Sequence, residues 1–303
     1  MYFCNVVSLT RLYQFIALYN SIQANTKVFN VFVLCMDDDT FRILEAARLN
    51  NVILTKLSDL ENDNLLELKS SRKIEEYCWT LKPVFLTHIL KRNEFIDRIT
   101  YLDADLYFHN NPELLFAGSE NCSVLLSEHN FSENIKNIEE SVGKFNGGLI
   151  SFKNNENGRL SLKWWKEQCL KWCFNTTVTG QFGDQKYLNE MIELFKEVCA
   201  IKVPGVNIAP WNDEKYKYRM VGEKLFVDDS PLILYHYCGF RVQDKNTCIL
   251  MFGNECSPII HHPYMKAVKE SILFVENIDA DFNGNFIEKR NEGKFKIFSL
   301  DVG

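Results

Sequence analysis

Four short apolar runs in the first third of the chain restrict it to a small set of folds. YFCNVV (2–7), VFVLCMD (31–37), VILTKL (52–57) and RITYLDAD (98–105) have strand length and little polar alternation. That is the signature of strands buried on both faces. Helical patterns separate them. RLYQFIALYNSIQAN (11–25) carries Leu12, Phe15, Ile16 and Ile22 near helical spacing, and DTFRILEAARLN (39–50) has an acidic start. YCWTLKPVFLTHILKR (77–92) is expected to open its helix near Pro83, a favoured first-turn residue. Strands alternating with helices predict an α/β chain with a mostly parallel sheet flanked by helices.

Further along, CSVLLSE (122–128), NGGLISFKN (146–154) and PLILYHY (231–237) read as strands. LSLKWWKEQCLKWCF (160–174) and GDQKYLNEMIELFKE (183–197) read as helices. A helix from about His262 to Phe274 and a polar, Gly-bearing tail complete the pattern. The expected organisation is one main domain over 1–240 and a C-terminal helical or irregular extension over 241–303, packed on the same domain. No stretch approaches the ~20 apolar residues of a membrane span, and the N-terminus lacks the pattern of a signal peptide. A net charge of −6 argues against broad nucleic-acid binding, which needs a basic face. Ten Cys occur without CxxC pairs. Cys169 and Cys173 lie one helical turn apart, but two thiols alone make a poor metal site. Reduced, mostly buried thiols in a cytoplasmic protein are the expectation.

The fourth run ends in two acids, Asp103 and Asp105. Alternate residues of a strand share a face, so these carboxylates would sit together, repelling each other beside buried apolar residues. A hard divalent cation, Mg²⁺ or Mn²⁺, resolves both problems and leaves room for substrate phosphates. A solvated turn is the plainer alternative, and Asn110, Asn111 and Pro112 just downstream have turn chemistry.

The ordered set consisting of an apolar strand with D-A-D, then FNGGLISF, FGDQKYLNE and ILYHYCG resembles the GT-A-fold glycosyltransferases, and among them glycosyltransferase family 8. The resemblance spans about residues 2–240. It implies a GT-A (Rossmann-like) catalytic domain over 1–240 that binds a nucleotide-diphosphate sugar. It implies a metal, usually Mn²⁺ (or Mg²⁺), on Asp103, Asp105 and His236, with Asp103 also near the ribose. Asn146 would contact the donor sugar, with Gly147 and Gly148 allowing close approach; a tight turn would use the same glycines. Asp184 would bind sugar hydroxyls and Gln185 would lie opposite the leaving group. Helix capping is the alternative for that pair. Gly239 would let backbone approach phosphate, and Lys82 matches a basic donor-contacting residue.

Two departures from the family pattern concern the nucleotide. Ser8 and Arg11 stand where an acid and a Tyr usually read uracil, and Arg241 stands one position before the usual diphosphate Lys. Arg11 could stack on a base or pair with phosphate, and Arg241 can neutralise phosphate. Trp211 is either a sugar-stacking platform or a buried residue. His109 could line the site, while His261 and His262 are expected at the surface.

The expected activity is transfer of a sugar to a hydroxyl of a glycan or glycolipid, retaining by family precedent, with at most peripheral membrane contact and no nucleic acid. A low-alanine, Lys- and Asn-rich composition suggests bacterial surface polysaccharide assembly at the cytoplasmic face. A sugar-nucleotide pyrophosphorylase would need a Gly-rich loop that VVSLTRLY lacks. A sugar-nucleotide hydrolase, or a carbohydrate-binding protein with a decayed site, are the other rivals.

Overall fold

The computed structural model describes residues 1–178, 180–252, 255–282 and 295–302. Alternation begins as the sequence predicts: β1 (Tyr2–Val7), α1 (Leu12–Asn25), β2 (Asn30–Cys35), α2 (Asp38–Ala47) and β3 (Val52–Lys56). Asp37 starts α2 by accepting the backbone N–H of Thr40 at 2.7 Å. Helices α3 (Asp63–Ser71) and α4 (Ile74–Arg92) then lead to β4 (Arg98–Leu102).

The helix expected to open at Pro83 instead opens nine residues earlier, at Ile74, with Pro83 inside α4. Its start is fixed by the Glu76 carboxylate, which accepts from the Lys73 N–H at 2.8 Å. Packing holds the helix through the proline. Leu81, Phe85, Leu86 and Ile89 are all nearly inaccessible and share a core with Cys4, Val6, Ile99 and Tyr101 of the sheet.

After β4 come β5 (Leu106–Phe108), β6 (Val124–Glu128), α5 (Ile138–Val142), β7 (Phe145–Lys153) and α6 (Glu156–Lys171). They are followed by α7 (Tyr187–Leu194) and β8 (Val198–Ala200). The main sheet has the order β3-β2-β1-β4-β7-β6-β8, and only β7 runs against the other strands. The order turns back at β1, with β2 on one side and β4 on the other. This is the topological switch point, where α/β sheets bind ligands beyond the carboxyl ends of their strands. Alternate residues of β1 face two cores: Cys4 and Val6 the α4 side, Phe3 and Val7 the α1 side with Phe15 and Ile16.

The remaining strands are β9 (Tyr218–Val221), β10 (Lys224–Val227), β11 (Ser230–Pro231), β12 (Leu234–His236), β13 (Phe240–Asp244) and β14 (Thr247–Leu250). Helix α8 (Pro258–Ile278) and β15 (Ile297–Ser299) follow. Strands β13, β14 and β15 form an antiparallel sheet, so the extension is not only helical or irregular. Tyr264, Val268 and Ile272 of α8 share a core with Tyr13 and Ala17 of α1. The polar tail expected beyond α8 lies largely outside the described residues.

Two other expectations fail. Cys122 and Cys199 form a disulfide, their Cα atoms 5.9 Å apart. Parallel pairing of β6 with β8 sets Leu125 opposite Cys199 and brings together two cysteines 77 residues apart, a proximity no local spacing reveals. His261 is buried rather than at the surface, with Nδ1 3.0 Å from the Ser257 N–H.

Candidate active site

Strand β4 stops at Leu102, so Asp103 and Asp105 do not share a face through strand alternation. They occupy a turn, closed by Leu106 N–H donating to Asp103 O at 3.2 Å, that bends the chain into β5. The short antiparallel pair of β5 with β12 then decides the site. His236 stands opposite Leu106, and Tyr237 N–H donates to Asp105 O at 2.8 Å. A late residue is thereby carried to the D-A-D turn. His236 Nε2 lies 3.1 Å from Asp105 Oδ1, and one ligand atom from each of Asp103, Asp105 and His236 lies within 4.8 Å of the others.

This cluster lines a cavity of about 560 Å³ at the switch point, together with Ser8, Arg11, Lys82, Asn146, Gly147, Asp184, Gln185 and Arg241. Gly148 and Gly239 are not among its lining residues. A Cβ on Gly148 would come within 2.8 Å of Asp103 Oδ2 and 2.7 Å of His236 Cε1, so only glycine fits between the two. Gly239, with φ of +80°, has Phe252 where its Cβ would be.

Lys82 is a tether as well as a wall. Its Nζ lies 3.2 Å from Asp103 Oδ1 and 3.2 Å from Asp184 Oδ2, and donates to Gly147 O at 3.0 Å. Burial alone would lower its pKa, but the two carboxylates outweigh burial and raise it, so the ammonium stays charged. Burial pushes the Asp184 carboxyl above its usual range, with Asp103 adding to the rise and Lys82 opposing it. Burial would raise Asp105 too, yet His236, Arg11 and Arg241 hold it below the ordinary carboxylate range. Tyr101 OH donates to Asp103 Oδ1 at 2.9 Å, fixing that carboxylate from beneath.

The helix expected over 183–197 begins only at Tyr187, and Lys186, not Asp184, occupies its N-cap. Asp184 and Gln185 are therefore turn residues facing the cavity. The Gln185 carboxamide is held at both ends: Oε1 accepts from Gly147 N–H at 3.3 Å and Nε2 donates to Val142 O at 2.9 Å.

Arg11 and Arg241 form no ion pair among the described residues. Arg11 donates to Gln14 Oε1 at 2.7 Å, and the buried Gln14 donates in turn to Tyr264 OH of α8 at 3.1 Å. Burial and the neighbouring Arg11 lower the Arg241 pKa. Ser8 Oγ is 3.0 Å from Thr10 Oγ1.

Some residues that sequence reasoning singled out stay outside. His109 is absent from the lining, and its Nε2 lies 3.2 Å from Tyr237 OH. Trp211 packs edge-on against His236, with ring centroids 5.1 Å apart, and is a neighbour of the cluster rather than a wall of the cavity. Other lining residues carried no signal, among them Trp79, Phe182 and Tyr101. Cys78 and Cys238 line it as well, but burial pushes both thiols up to about 12, so neither is a thiolate nucleophile. His129 also went unnoticed; it is buried one residue beyond β6 and touches Asn146.

The geometry suits an oxygen-liganded cation beside an anion. Two carboxylates and an imidazole favour Mn²⁺ or a similar ion. His236 Nε2, 3.1 Å from Asp105 Oδ1, is the ring nitrogen that meets the carboxylates and would serve as the ligand to such an ion. No described helix is long and apolar enough to cross a membrane.

Comparison with known proteins agrees with this architecture. The chain is similar to two proteins of Bacillus subtilis (strain 168). It is 38% identical over 291 residues to "Uncharacterized protein YfnF", covering 93% of this chain and 96% of that one. It is 30% identical over 307 residues to "Uncharacterized protein YfnD", covering 99% of each. Among solved structures, the galactosyltransferase LgtC, crystallised with donor and acceptor sugar analogues, superposes with a TM-score of 0.52 at 14% identity. That match covers 97% of this chain and 100% of the other. The glycosyltransferase GlyE of Streptococcus pneumoniae TIGR4 gives 0.51 at 13% identity, over 91% of this chain and 62% of that one. At such identities these two show a shared fold. The family model described as nucleotide-diphospho-sugar transferase matches residues 26–251, and the chain belongs to that family of glycosyltransferases.

Proposed function

We propose that the protein moves a sugar from a nucleotide-diphosphate sugar to a hydroxyl of a glycan or glycolipid, with a divalent cation held by Asp103, Asp105 and His236. The observation that carries the reading is the convergence of these three residues at a cavity that also presents two guanidinium groups, Arg11 and Arg241, with no ion-pair partner among the described residues. Mn²⁺ or Mg²⁺, when bound, would offset the negative charge growing on the departing diphosphate.

The chain's own residues do the rest. Arg11 and Arg241 bind phosphate oxygens. Lys82 keeps Asp103 and Asp184 in place and neutralises one of their charges. Asp184 and Asn146 bind sugar hydroxyls, Gly147 lets the sugar approach backbone at the cavity wall, and Gly148 leaves room for Asp103 and His236. Gln185, fixed at both ends and a poor nucleophile, orients the sugar rather than attacking it. The bond from the anomeric carbon to the phosphate oxygen breaks and a bond to the acceptor oxygen forms. The acceptor's proton passes to the leaving phosphate. Attack from the same face would retain configuration.

The acceptor belongs, on this reading, to a bacterial surface polysaccharide assembled at the inner face of the cytoplasmic membrane. A thermal-shift panel of UDP-, GDP-, CDP- and dTDP-sugars, with and without Mn²⁺, tests the donor half. Ligands that bind the native state raise the melting temperature by mass action. A Mn²⁺-dependent rise with one nucleotide group is expected; no rise with any of them would overturn the reading.

A further inference from the structure

His129 stands between a loop and the Asn146 side chain, and its two ring nitrogens face different chemistry. Nδ1 lies 3.0 Å from Gly143 O and 3.3 Å from Lys144 O. Carbonyl oxygens only accept, so Nδ1 must carry the hydrogen. Burial pushes the ring's pKa down to about 4, which leaves it neutral at neutral pH with a lone pair on Nε2. Only a donor can face that lone pair, and Asn146 Nδ2 lies 3.3 Å away. At the other end of the same carboxamide, Oδ1 accepts from Gly148 N–H at 3.0 Å. Rotating the amide by half a turn would set oxygen against a lone pair and NH₂ against an N–H. Phe131, stacked on the imidazole at 4.7 Å, and Trp211, edge-on at 5.1 Å, hold the ring in place.

We propose that His129 is a positioning residue which, as its Nδ1–H tautomer, fixes the polarity of the Asn146 carboxamide at the cavity wall. Of the two Nδ2 hydrogens, one goes to His129 and the other is left for a bound hydroxyl. The donor sugar therefore meets an N–H donor at this point, not an amide free to flip. This inference rests on the reading of the cavity as a nucleotide-sugar site.

Two substitutions separate the ends of the ring. His129→Gln offers an acceptor near the Nε2 position but nothing at Nδ1. His129→Asn offers a donor near Nδ1 but nothing at Nε2. With the UDP-, GDP-, CDP- or dTDP-sugar that gives the largest Mn²⁺-dependent thermal shift, His129→Asn should lose about tenfold or more in kcat/KM, and His129→Gln should recover most of that loss. Binding of the matching nucleoside diphosphate, which has no sugar, should be unchanged in both. Damage in His129→Gln equal to or greater than that in His129→Asn would mean that His129 only anchors the 143–144 loop, and would overturn the proposal. Nitrogen NMR of the wild-type protein labelled at histidine reads the tautomer without any ligand: Nδ1–H is expected for His129, and Nε2–H overturns the proposal even if neither variant folds. Wild-type protein that turns over no nucleotide sugar would instead overturn the functional reading, and the role of His129 with it.

Discussion

Asp105 is the residue whose loss should separate chemistry from folding most cleanly. Its carboxylate faces His236 and two arginines rather than the apolar core. Asp105→Ala should lower metal-dependent donor turnover by roughly 10²-fold or more, while the melting temperature stays close to wild type. Near-normal turnover would contradict its placement. His236→Ala should raise the Mn²⁺ concentration needed for half-maximal activity; an unchanged metal requirement would leave His236 with a structural role alone. The cysteines give a simpler check. Eight are free and two are joined, so titration of the denatured, unreduced protein should find eight thiols, and titration after reduction should find ten. Ten before reduction would contradict the Cys122–Cys199 bond. Residues such as Asp103, Asn146, Asp184 and His236, which line the cavity, were legible because they stand in short ordered motifs that resemble those of the family. His129 and Tyr101 were not. A lone histidine and a strand tyrosine acquire meaning only from partners 17 and 2 residues away, and the fold alone fixes the angles of approach.

At the scale of elements, the C-terminal helix reaches the site indirectly. Tyr264 of α8 stacks on Tyr237 with ring centroids 3.8 Å apart, and its hydroxyl accepts from Gln14, which holds Arg11. Tyr264→Phe keeps the stack and removes only the hydroxyl. It leaves the Gln14 amide a buried donor without a partner, at a cost of about 1–3 kcal/mol. A several-fold weaker affinity for the nucleoside diphosphate is expected in a folded protein, measured by calorimetric titration. Unchanged affinity would show that Arg11 needs no such support. Strands β1, β2 and β4 were legible because doubly covered strands are largely apolar, and β3, the half-buried edge strand of the sheet, through its Val-Ile-Leu run. Two boundaries were not. Packing by Leu81 and Phe85 carries α4 through Pro83, and the pairing of β5 with β12 ends β4 before the acids. Both outcomes depend on partners distant in sequence, which local propensity cannot report.

Across the whole molecule, the sheet order and the separate β5–β12 pair place the ends of β1, β4 and β12 around one cavity, and stability should respond to acid through the groups buried beside it. Burial pushes the His129 pKa down to about 4 in the folded protein, against the ordinary ~6.5 of the unfolded chain. Because its folded pKa is depressed, the unfolded chain takes up a proton that the native state refuses as pH falls through this window. Stability should then drop by up to about 1.4 kcal/mol per pH unit from this group, and no further below about 4. Urea midpoints at successive pH values should fall less steeply for His129→Gln than for wild type. Equal slopes would contradict the neutral, buried ring.

The most direct test of the central claim is release of nucleoside diphosphate from the donor that the thermal-shift panel selects, measured for wild type and Asp105→Ala. Release should require Mn²⁺ or Mg²⁺, stop on chelation, resume when the ion is restored, and be lost in Asp105→Ala. Release that persists under chelation, or that survives in Asp105→Ala, would contradict a cation site formed by Asp103, Asp105 and His236.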